Sequence, residues 1–328
     1  MDPGPMMLRR RSSEPELTIL FATDLHGSES AYRKFLNAGL KFKPNLVVMG
    51  GDLAGKALVP VVAENGGHTA DLGSRRFRVT GHEELADLEK TIRLTGRYPL
   101  RMTLDELQAL QADPAAVESR FLTAMRDTLA QWLELAQERL EPEGIRMLAI
   151  AGNDDPRELD AVLADHPFVE WVDGRVAELD DGLSLVGYSA VNPTPWDSPR
   201  EYHEDRLETE LRELVGKLPD PAQSIWNIHV PPYNTGLDNA PMVDGELKIV
   251  MDGGQPRMTP VGSTALRAVI EQVQPLVGMH GHVHESRGRT SLGKTLVVNP
   301  GSAYSEGTLQ SALIRVGRKG PTVQFLIA

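Results

Sequence analysis

The sequence predicts a layered α/β domain whose sheet becomes more antiparallel toward the carboxyl end. Two observations favour this class. Short apolar runs of strand length alternate with helical patterns over the first two-thirds of the chain, and strand-like runs then cluster near its end. The chain has 328 residues, which is enough for one large domain or two ordinary ones with an ample core.

The apolar runs predict nine strands, at residues 17–22, 46–49, 147–151, 183–187, 224–228, 276–279, 295–298, 312–316 and 322–326. The helical patterns between them predict six helices, at residues 29–40, 105–112, 115–140, 156–164, 201–218 and 263–272. We expect residues 1–16 to form a disordered tail and residues 17–328 to form the domain.

One segment interrupts the alternation of strands and helices. About a hundred residues separate Asp52 from Asn153, which is far more than one crossover needs. The segment opens with a predicted hairpin that turns near Asn65 and Gly66 and continues with helices up to Leu140. We expect an insertion at about residues 56–143, which acts as a lid over the domain or as a purely structural cap.

The composition limits the chemistry that the protein can use. The chain has no Cys, which excludes disulfides and thiolate-bound zinc, so any metal must bind oxygen and imidazole nitrogen. The net charge of −12 argues against a broad nucleic-acid surface. No run of about 18 apolar residues occurs, so we expect no membrane span. The start lacks the apolar stretch of a signal peptide, and we expect a cytoplasmic protein.

Five of the apolar runs end in side chains that bind metals. The stretches are "TDLHG", "LVVMGGDLAGK", "MLAIAGNDDP", "IWNIHVPPYN" and "LVGMHGHVHES". Because ligands gather beyond the carboxyl ends of strands in open α/β sheets, these stretches can converge on one rim. Seven oxygen and nitrogen donors are too many for one tetrahedral zinc and suit two borderline divalent ions. The donors are Asp24, His26, Asp52, Asn153, His229, His282 and His284.

In this order the motifs resemble those of the calcineurin-like metallophosphoesterases, over nearly the whole chain from Leu17 onward. The family pattern is Asp-x-His, Gly-Asp, Gly-Asn-His, a lone His and Gly-His-x-His. The resemblance implies a four-layer αββα sandwich with two metal ions on its rim, of manganese, iron, zinc, nickel or cobalt. It further implies that a water bridging the ions attacks phosphorus.

The same resemblance implies a division of the ligands between the two ions. Asp24, His26 and His284 would hold the first ion. Asn153, His229 and His282 would hold the second, and Asp52 would bridge them.

One position departs from the family pattern. Asp154 stands where the family usually has a histidine that can protonate the leaving oxygen, next to the acid Asp155. An ordinary carboxylate is ionised at neutral pH and is a poor proton donor, so we expect a bias toward phosphodiesters. Asp154 and Asp155 are the candidate catalytic residues, although Asp154 could simply form an Asx turn. Lys56 and Arg287 are candidate substrate-binding residues, or else solvated surface charges.

These observations predict a dinuclear metal-dependent phosphoesterase that hydrolyses phosphodiester bonds of a small substrate. Alternatives are a phosphomonoesterase or a cyclic-nucleotide phosphodiesterase of the same fold, and a non-catalytic protein-binding scaffold. A nucleic-acid polymer is not expected as a partner, because the chain has no basic stripe. The sequence indicates neither the physiological substrate nor the oligomeric state.

Overall fold

A computed structural model describes residues 17–328 of the chain, so the tail predicted at residues 1–16 lies outside the described residues. Within the described range the helices are α1 (Glu29–Phe42), α2 (His82–Leu94), α3 (Leu104–Gln111), α4 (Pro114–Leu140), α5 (Leu159–Ala164), α6 (Glu204–Val215) and α7 (Thr264–Val273). The strands of the first half are β1 (Leu17–Ala22), β2 (Leu46–Gly50), β3 (Ala57–Glu64), β4 (Gly67–Leu72), β5 (Arg75–Val79), β6 (Arg97–Thr103), β7 (Arg146–Ile150), β8 (Val169–Trp171), β9 (Arg175–Glu178) and β10 (Ser184–Tyr188). The later strands are β11 (Ser224–Ile228), β12 (Asn239–Pro241), β13 (Met251–Asp252), β14 (Gln255–Pro256), β15 (Met258–Pro260), β16 (Val277–Met279), β17 (Gly288–Leu292), β18 (Thr295–Asn299), β19 (Gln310–Gly317) and β20 (Gly320–Ile327).

Two large sheets form the body of the molecule. The first sheet has the strand order β20-β19-β1-β2-β7-β8, and the second has the order β10-β11-β16-β18-β17. The central strands of each sheet are parallel, whereas β17, β19 and β20 pair antiparallel with their neighbours. The predicted antiparallel character of the carboxyl-terminal strands is therefore confirmed.

The sheets and helices form the four layers of an αββα sandwich. Phe21 of the first sheet and Ile225 of the second belong to one buried apolar cluster between the sheets. On the outer face of the first sheet, α1 and α4 contribute Phe35 and Leu133 to a second cluster. On the outer face of the second sheet, α6 and α7 bury residues such as Leu211. Each sheet thus has two apolar faces, which explains why its central strands appear in the sequence as continuous apolar runs.

Local signals in the sequence account for the limits of α1, which follows the first cluster of predicted ligands. The hydroxyl of Ser28 accepts a hydrogen bond from the backbone N–H of Ala31 and so caps the first turn. Tyr32, Phe35 and Leu36, spaced three and four residues apart, are buried against the first sheet. The helix ends at Lys43, which adopts a left-handed conformation with φ 47°.

Residues 57–103 form a separate sheet of order β5-β4-β3-β6 on which α2 packs. This subdomain has its own small core, which includes Val61, Leu88 and Ile92. The predicted hairpin is confirmed, since β3 pairs with β4 up to the contact of Glu64 with Gly67. By contrast, α4 packs against α1 and the first sheet, so residues 114–140 belong to the helical layer of the sandwich.

None of the helices in the described part of the chain combines the length and the apolarity required to cross a bilayer.

Candidate metal centre

The seven side chains predicted as metal ligands meet at one rim of the sandwich. They follow the carboxyl ends of five parallel strands, namely β1, β2, β7, β11 and β16. All seven are at least largely shielded from solvent, and four of them, Asp52, Asn153, His282 and His284, line one cavity. The convergence inferred from the sequence is therefore present in the structure.

One group of donors consists of Asp24, His26, Asp52 and His284. A ligand atom from each of these four residues lies within 4.8 Å of the others. Nε2 of His284 is 3.2 Å from Oδ1 of Asp24 and 3.2 Å from Nε2 of His26. Ring nitrogens at this separation suit two ligands of one ion with bonds of about 2.1 Å.

A second group lies beside the first. Oδ1 of Asn153 is 3.1 Å from Nε2 of His229 and 2.7 Å from Nδ1 of His282. Oδ2 of Asp52 is 3.4 Å from Nε2 of His229 and 3.6 Å from Nε2 of His26. The carboxylate of Asp52 therefore lies between the two groups, where it could bind an ion held by either.

Hydrogen bonds behind the site fix which atoms face it. Nδ1 of His229 donates to the carbonyl oxygen of Gly50 at 2.8 Å, which leaves Nε2 as the atom directed at the site. The amide nitrogen of Asn153 donates to Oδ1 of Asp154 and to Oγ of Ser198, so its oxygen must face the ring nitrogens. The hydroxyl of Ser198 in turn donates to Glu201 at 2.7 Å. Such support from outside the ligand set is typical of metal centres.

The electrostatics of the centre also suit a cation. Burial lowers the pKa of His26 to about 3 and that of His282 to about 4, so both rings are neutral at pH 7 and able to bind metal. Burial acts to raise the pKa of Asp24, but the facing rings of His284 and His229 outweigh it and lower the pKa to about 2. Burial acts to lower the pKa of His229, yet the Asp52 carboxylate raises it to about 10, and a bound cation would compete with that proton.

The backbone at the centre is strained. Four of the ligands have left-handed conformations, with φ 54° at Asp24, 41° at His26, 51° at Asp52 and 65° at His282. Such conformations cost about 1–3 kcal/mol each and persist where the surroundings enforce them. Here the enforcement is visible, because the N–H of Asp24 donates to the carbonyl of Gly51 and that of His26 donates to the carbonyl of Asp52.

At two positions of the metal centre the backbone passes so close to a carboxylate that only glycine fits. A Cβ atom on Gly152 would collide with Oδ1 of Asp52, and a Cβ atom on Gly281 would collide with Oδ2 of Asp24. The glycines in the "GND" and "GHVH" motifs therefore allow the loops to pass directly against the carboxylates.

Asp155 does not have the catalytic position that the sequence suggested. Its side chain is 1% exposed, and it accepts hydrogen bonds from the backbone N–H groups of Leu53, Ala54 and Gly152. Burial raises the pKa of Asp155 to about 6. Because its oxygens are directed at backbone amides, Asp155 joins the loop after β2 to the loop after β7 and cannot reach a substrate.

Asp154 and Lys56 lie together on the wall of the cavity. The Asp154 carboxylate is 2.7 Å from Nζ of Lys56, and its backbone N–H donates to Oδ1 of Asp52 at 2.9 Å. Burial and the charge of Asp52 raise the pKa of Asp154, while Lys56 opposes this shift. Both residues line the cavity, and a catalytic part for Asp154 and a substrate-binding part for Lys56 stay predictions.

Arg287 is not placed to bind a substrate at this centre. Its guanidinium lies over the ring of Phe325 at 5.0 Å from the centroid, and its side chain is exposed on the outside of the cavity wall. The three-residue spacing from His284 was misleading because the Arg287 guanidinium packs over Phe325 and does not line the cavity.

The sequence analysis missed three residues at the site. Ser198 orients Asn153, the ring of Tyr304 lies 4.5 Å from that of His26, and Trp196 forms part of the cavity wall. Ser198 and Trp196 belong to a loop, "NPTPWDSPRE", that carries no motif. The one available signal was a tryptophan in a segment rich in proline.

Comparisons with known proteins bear on the fold. No family model matches the chain. The uncharacterized protein MJ1162 of Methanocaldococcus jannaschii is 31% identical over 159 residues, which is 48% of this chain. The match spans 64% of that relative, less than two thirds of its length.

Two solved structures share the architecture over almost the whole chain. One crystal structure superposes with a TM-score of 0.54 and 14% identity, covering 95% of this chain and 99% of the other. The crystal structure of TT1561 of Thermus thermophilus gives a TM-score of 0.50 and 15% identity, covering 94% and 99%. These two likenesses show a shared fold, and the four-layer αββα sandwich expected from the motifs is confirmed.

Proposed function

We propose that this chain is a metal-dependent phosphoesterase that binds two divalent ions and hydrolyses phosphodiester bonds in small substrates. The observation that carries the proposal is the convergence of seven oxygen and nitrogen donors into two groups that share the carboxylate of Asp52. The imidazole-rich donor set favours manganese, iron, cobalt, nickel or zinc over calcium or magnesium.

The residues of the chain would bind and orient the ions. Asp24, His26 and His284 would hold one ion and Asp52 would contact both. Bound divalent ions would supply an activated water and would neutralise charge on the phosphoryl oxygens. No side chain of the nucleophilic type is needed for such a reaction, and the fixed backbone of the five loops keeps the donors in place.

The other group would serve the second ion in the same way. Asn153 would bind through its amide oxygen, since its amide nitrogen is already bonded to Ser198 and Asp154. His229 would bind through Nε2, since Nδ1 donates to the carbonyl of Gly50. His282 completes the set.

The preference for diesters rests on the pair formed by Asp154 and Lys56. The Asp154 carboxylate pairs with Lys56 at 2.7 Å, and although burial and Asp52 raise its pKa, we expect it to be a weaker proton donor for the leaving group than the imidazole usual at this position. Its negative charge also disfavours a phosphomonoester, which carries about two negative charges at pH 7, more than a diester, which carries one. Lys56 would lie beside the phosphoryl group and offset part of this charge.

The proposal is tested by stripping the protein of metal, reloading it with one metal at a time, and measuring bound ions and hydrolysis together. We expect two ions per chain and faster hydrolysis of bis(4-nitrophenyl) phosphate than of 4-nitrophenyl phosphate. A protein that binds no metal, or that shows no metal-dependent hydrolysis of any phosphoester, would instead be a scaffold. Faster hydrolysis of the monoester would contradict the diester preference.

A further inference from the structure

The wall of the cavity opposite the metal ligands is apolar. The cavity measures about 710 Å³, and one side is formed by Asp52, Asn153, His282 and His284. The other side is formed by Trp196 and by residues of a two-stranded arm, which we define as residues 239–260. The arm residues on this wall include Met242, Val243, Leu247 and Ile249. A ligand bound at the metal centre would therefore extend along an apolar surface.

These apolar side chains are unusually exposed. Trp196 is 61% exposed, Leu247 is 46% exposed and Ile249 is 52% exposed. They and Met242 make up four of the ten large hydrophobic side chains that are exposed in the described part of the chain. Apolar surface concentrated at the mouth of a cavity marks a binding site, because soluble proteins rarely leave such patches uncovered.

Trp196 is held on a rigid support. Its backbone N–H donates to Oγ1 of Thr194, and Thr194 and Ser198 both donate to the carboxylate of Glu201. Ser198 of the same loop orients the predicted ligand Asn153. The backbone that carries the indole is therefore fixed relative to the metal centre before any ligand arrives, which lowers the entropy cost of ordering this loop on binding.

The arm presents Leu247 from a tight turn at its tip. The N–H groups of Glu246 and Lys248 donate to Oδ1 of Asp244, and the N–H of Leu247 donates to the carbonyl of Asp244. Leu247 adopts a left-handed conformation with φ 61°, which is uncommon for a bulky residue. The turn thus holds a leucine in a strained conformation on the cavity wall.

The charges around the cavity exclude a polyanion. The charged side chains other than histidine that line it are Asp52, Lys56, Asp154 and Glu285, and Lys56 is paired with Asp154. With the first phosphoryl group at the metal centre, the lining offers no second cation for another phosphate. A substrate with one phosphoryl group and an uncharged remainder matches this distribution of charge.

We propose that the substrate is a phosphodiester in which one ester group carries an aromatic ring, such as an aryl or nucleoside group, and that this ring binds between Trp196 and the arm. This inference rests on the proposed function, since it assigns the substrate class of the same site. The flat indole of Trp196 favours an aromatic substrate group because the two rings can stack, and Leu247 and Ile249 would bury apolar area of the substrate ring.

We call the proposed binding site for the aromatic ring, between Trp196 and the arm, the ring site. It is tested first by measuring the affinity of compounds that cannot be hydrolysed. Diphenylphosphinate and dimethylphosphinate carry the same single charge and contain no ester bond to hydrolyse. Titration calorimetry with the manganese-loaded full chain should show that the diphenyl compound binds at least about tenfold more tightly, as burial of an apolar ring predicts. Equal affinities for the two probes would overturn the proposal.

Matched variants test whether Trp196 and the arm cause the tighter binding of diphenylphosphinate. We expect Trp196→Ala and Leu247→Ala each to reduce the preference at least about fivefold, and Trp196→Phe to retain most of it, since a phenyl ring still stacks. Met251→Ala is the control, because Met251 lies on the same arm and is 57% exposed but is not part of the cavity wall. If Met251→Ala also removed the preference, or if light scattering showed a dimer that this variant dissociates, the arm would bind a second copy and the ring site would be wrong.

Hydrolysis separates this inference from the proposed function. Methyl 4-nitrophenyl phosphate and phenyl 4-nitrophenyl phosphate share a leaving group, so their relative kcat/KM reports the effect of the second ester group. We expect the phenyl compound to be favoured in the wild type and the preference to fall in Trp196→Ala. Hydrolysis of both compounds at equal rates would keep the proposed function and overturn the ring site. Hydrolysis of neither, with the phosphinate preference intact, would overturn the proposed function and the substrate assignment and would leave the ring site as a binding site only.

Discussion

The two walls of the cavity differ in almost every physical respect. On the metal side, Asp24 and Asp52 are buried, and backbone N–H groups of neighbouring loops, those of His282 and Asp154, donate to their oxygens. On the arm side, Trp196 and Ile249 are largely exposed and make no polar contacts with their side chains. If the proposed function is right, the class of reaction would depend on donors held at strand ends, and the choice of substrate would depend on loops whose sequence carries no motif. The following changes test this division, from the largest expected effect to the smallest.

Replacing Asp52 should have the largest effect on the metal side. Asp52→Ala removes the carboxylate that lies between the two groups of donors, so both ions should be lost or weakened. We expect hydrolysis to fall at least about a thousandfold, since metal ions contribute several kcal/mol to transition-state stabilisation. Elemental analysis and rate measurements on the same samples check this, and a variant with full metal content would contradict the bridging position.

Gly152→Ala should displace the Asp52 carboxylate through a steric clash. The added Cβ atom would collide with Oδ1 of Asp52, so we expect a loss of metal affinity together with a destabilisation of about 1–3 kcal/mol. Gly245→Ala is the control, because a Cβ atom there meets open space. Metal titration and thermal unfolding of both variants make the comparison. Unchanged metal affinity in Gly152→Ala would show that the loop can shift freely.

Ser198→Ala should weaken the second ion selectively. The amide nitrogen of Asn153 would lose its hydrogen bond to Oγ, and the amide oxygen would no longer be held toward His229 and His282. Loss of such support typically lowers metal affinity by about 10- to 100-fold. The readout is the affinity for the more weakly bound ion, and Ser291→Ala, at an exposed position, is the control. Equal weakening of both ions would contradict a role specific to Asn153.

Asp154→His should change substrate preference more than overall rate. An imidazole at this position can donate a proton to the leaving group and removes a negative charge from the cavity wall. We expect the ratio of monoester to diester kcat/KM to rise by about tenfold, within the usual contribution of a general acid. The assay uses 4-nitrophenyl phosphate and its bis ester. An unchanged ratio would assign Asp154 a purely structural role.

Arg287→Ala should have the smallest effect. Its guanidinium lies over Phe325 outside the cavity wall, so we expect kcat/KM to stay within about twofold and the free energy of unfolding to fall by about 0.5–1 kcal/mol, the usual value of an exposed cation–π contact. A larger loss of activity would mean that Arg287 reaches the substrate after all.

Much of the fold could be predicted because its signals are local. The central strands, such as β1, β2 and β7, are nearly continuous apolar runs, since both faces of the two sheets are covered there. Strands β5, β6, β8, β9, β12 to β15 and β17 escaped prediction because they are short or carry exposed residues, such as Arg75 and Met258. Their pairing depends on contacts with other parts of the chain rather than on an apolar pattern.

The metal ligands of the candidate site could be predicted from the sequence, whereas the residues around them could be predicted less well. Asp24 and His284 follow strands and lie in motifs, which together predicted their convergence even though β1 and β16 belong to different sheets. Asp155 stands beside the ligands in the sequence, yet its side chain points to backbone amides because the loop turns beneath the centre. Trp196 and Ser198 are near the centre only through the tertiary fold, and no spacing in the sequence could indicate that.

The most direct measurement is anomalous X-ray diffraction from crystals of the manganese-loaded protein, which locates each bound ion. The account predicts two anomalous peaks about 3.5–4 Å apart, the usual spacing of two-metal sites, with the carboxylate of Asp52 between them. A single peak, or two peaks that do not share Asp52, would contradict it.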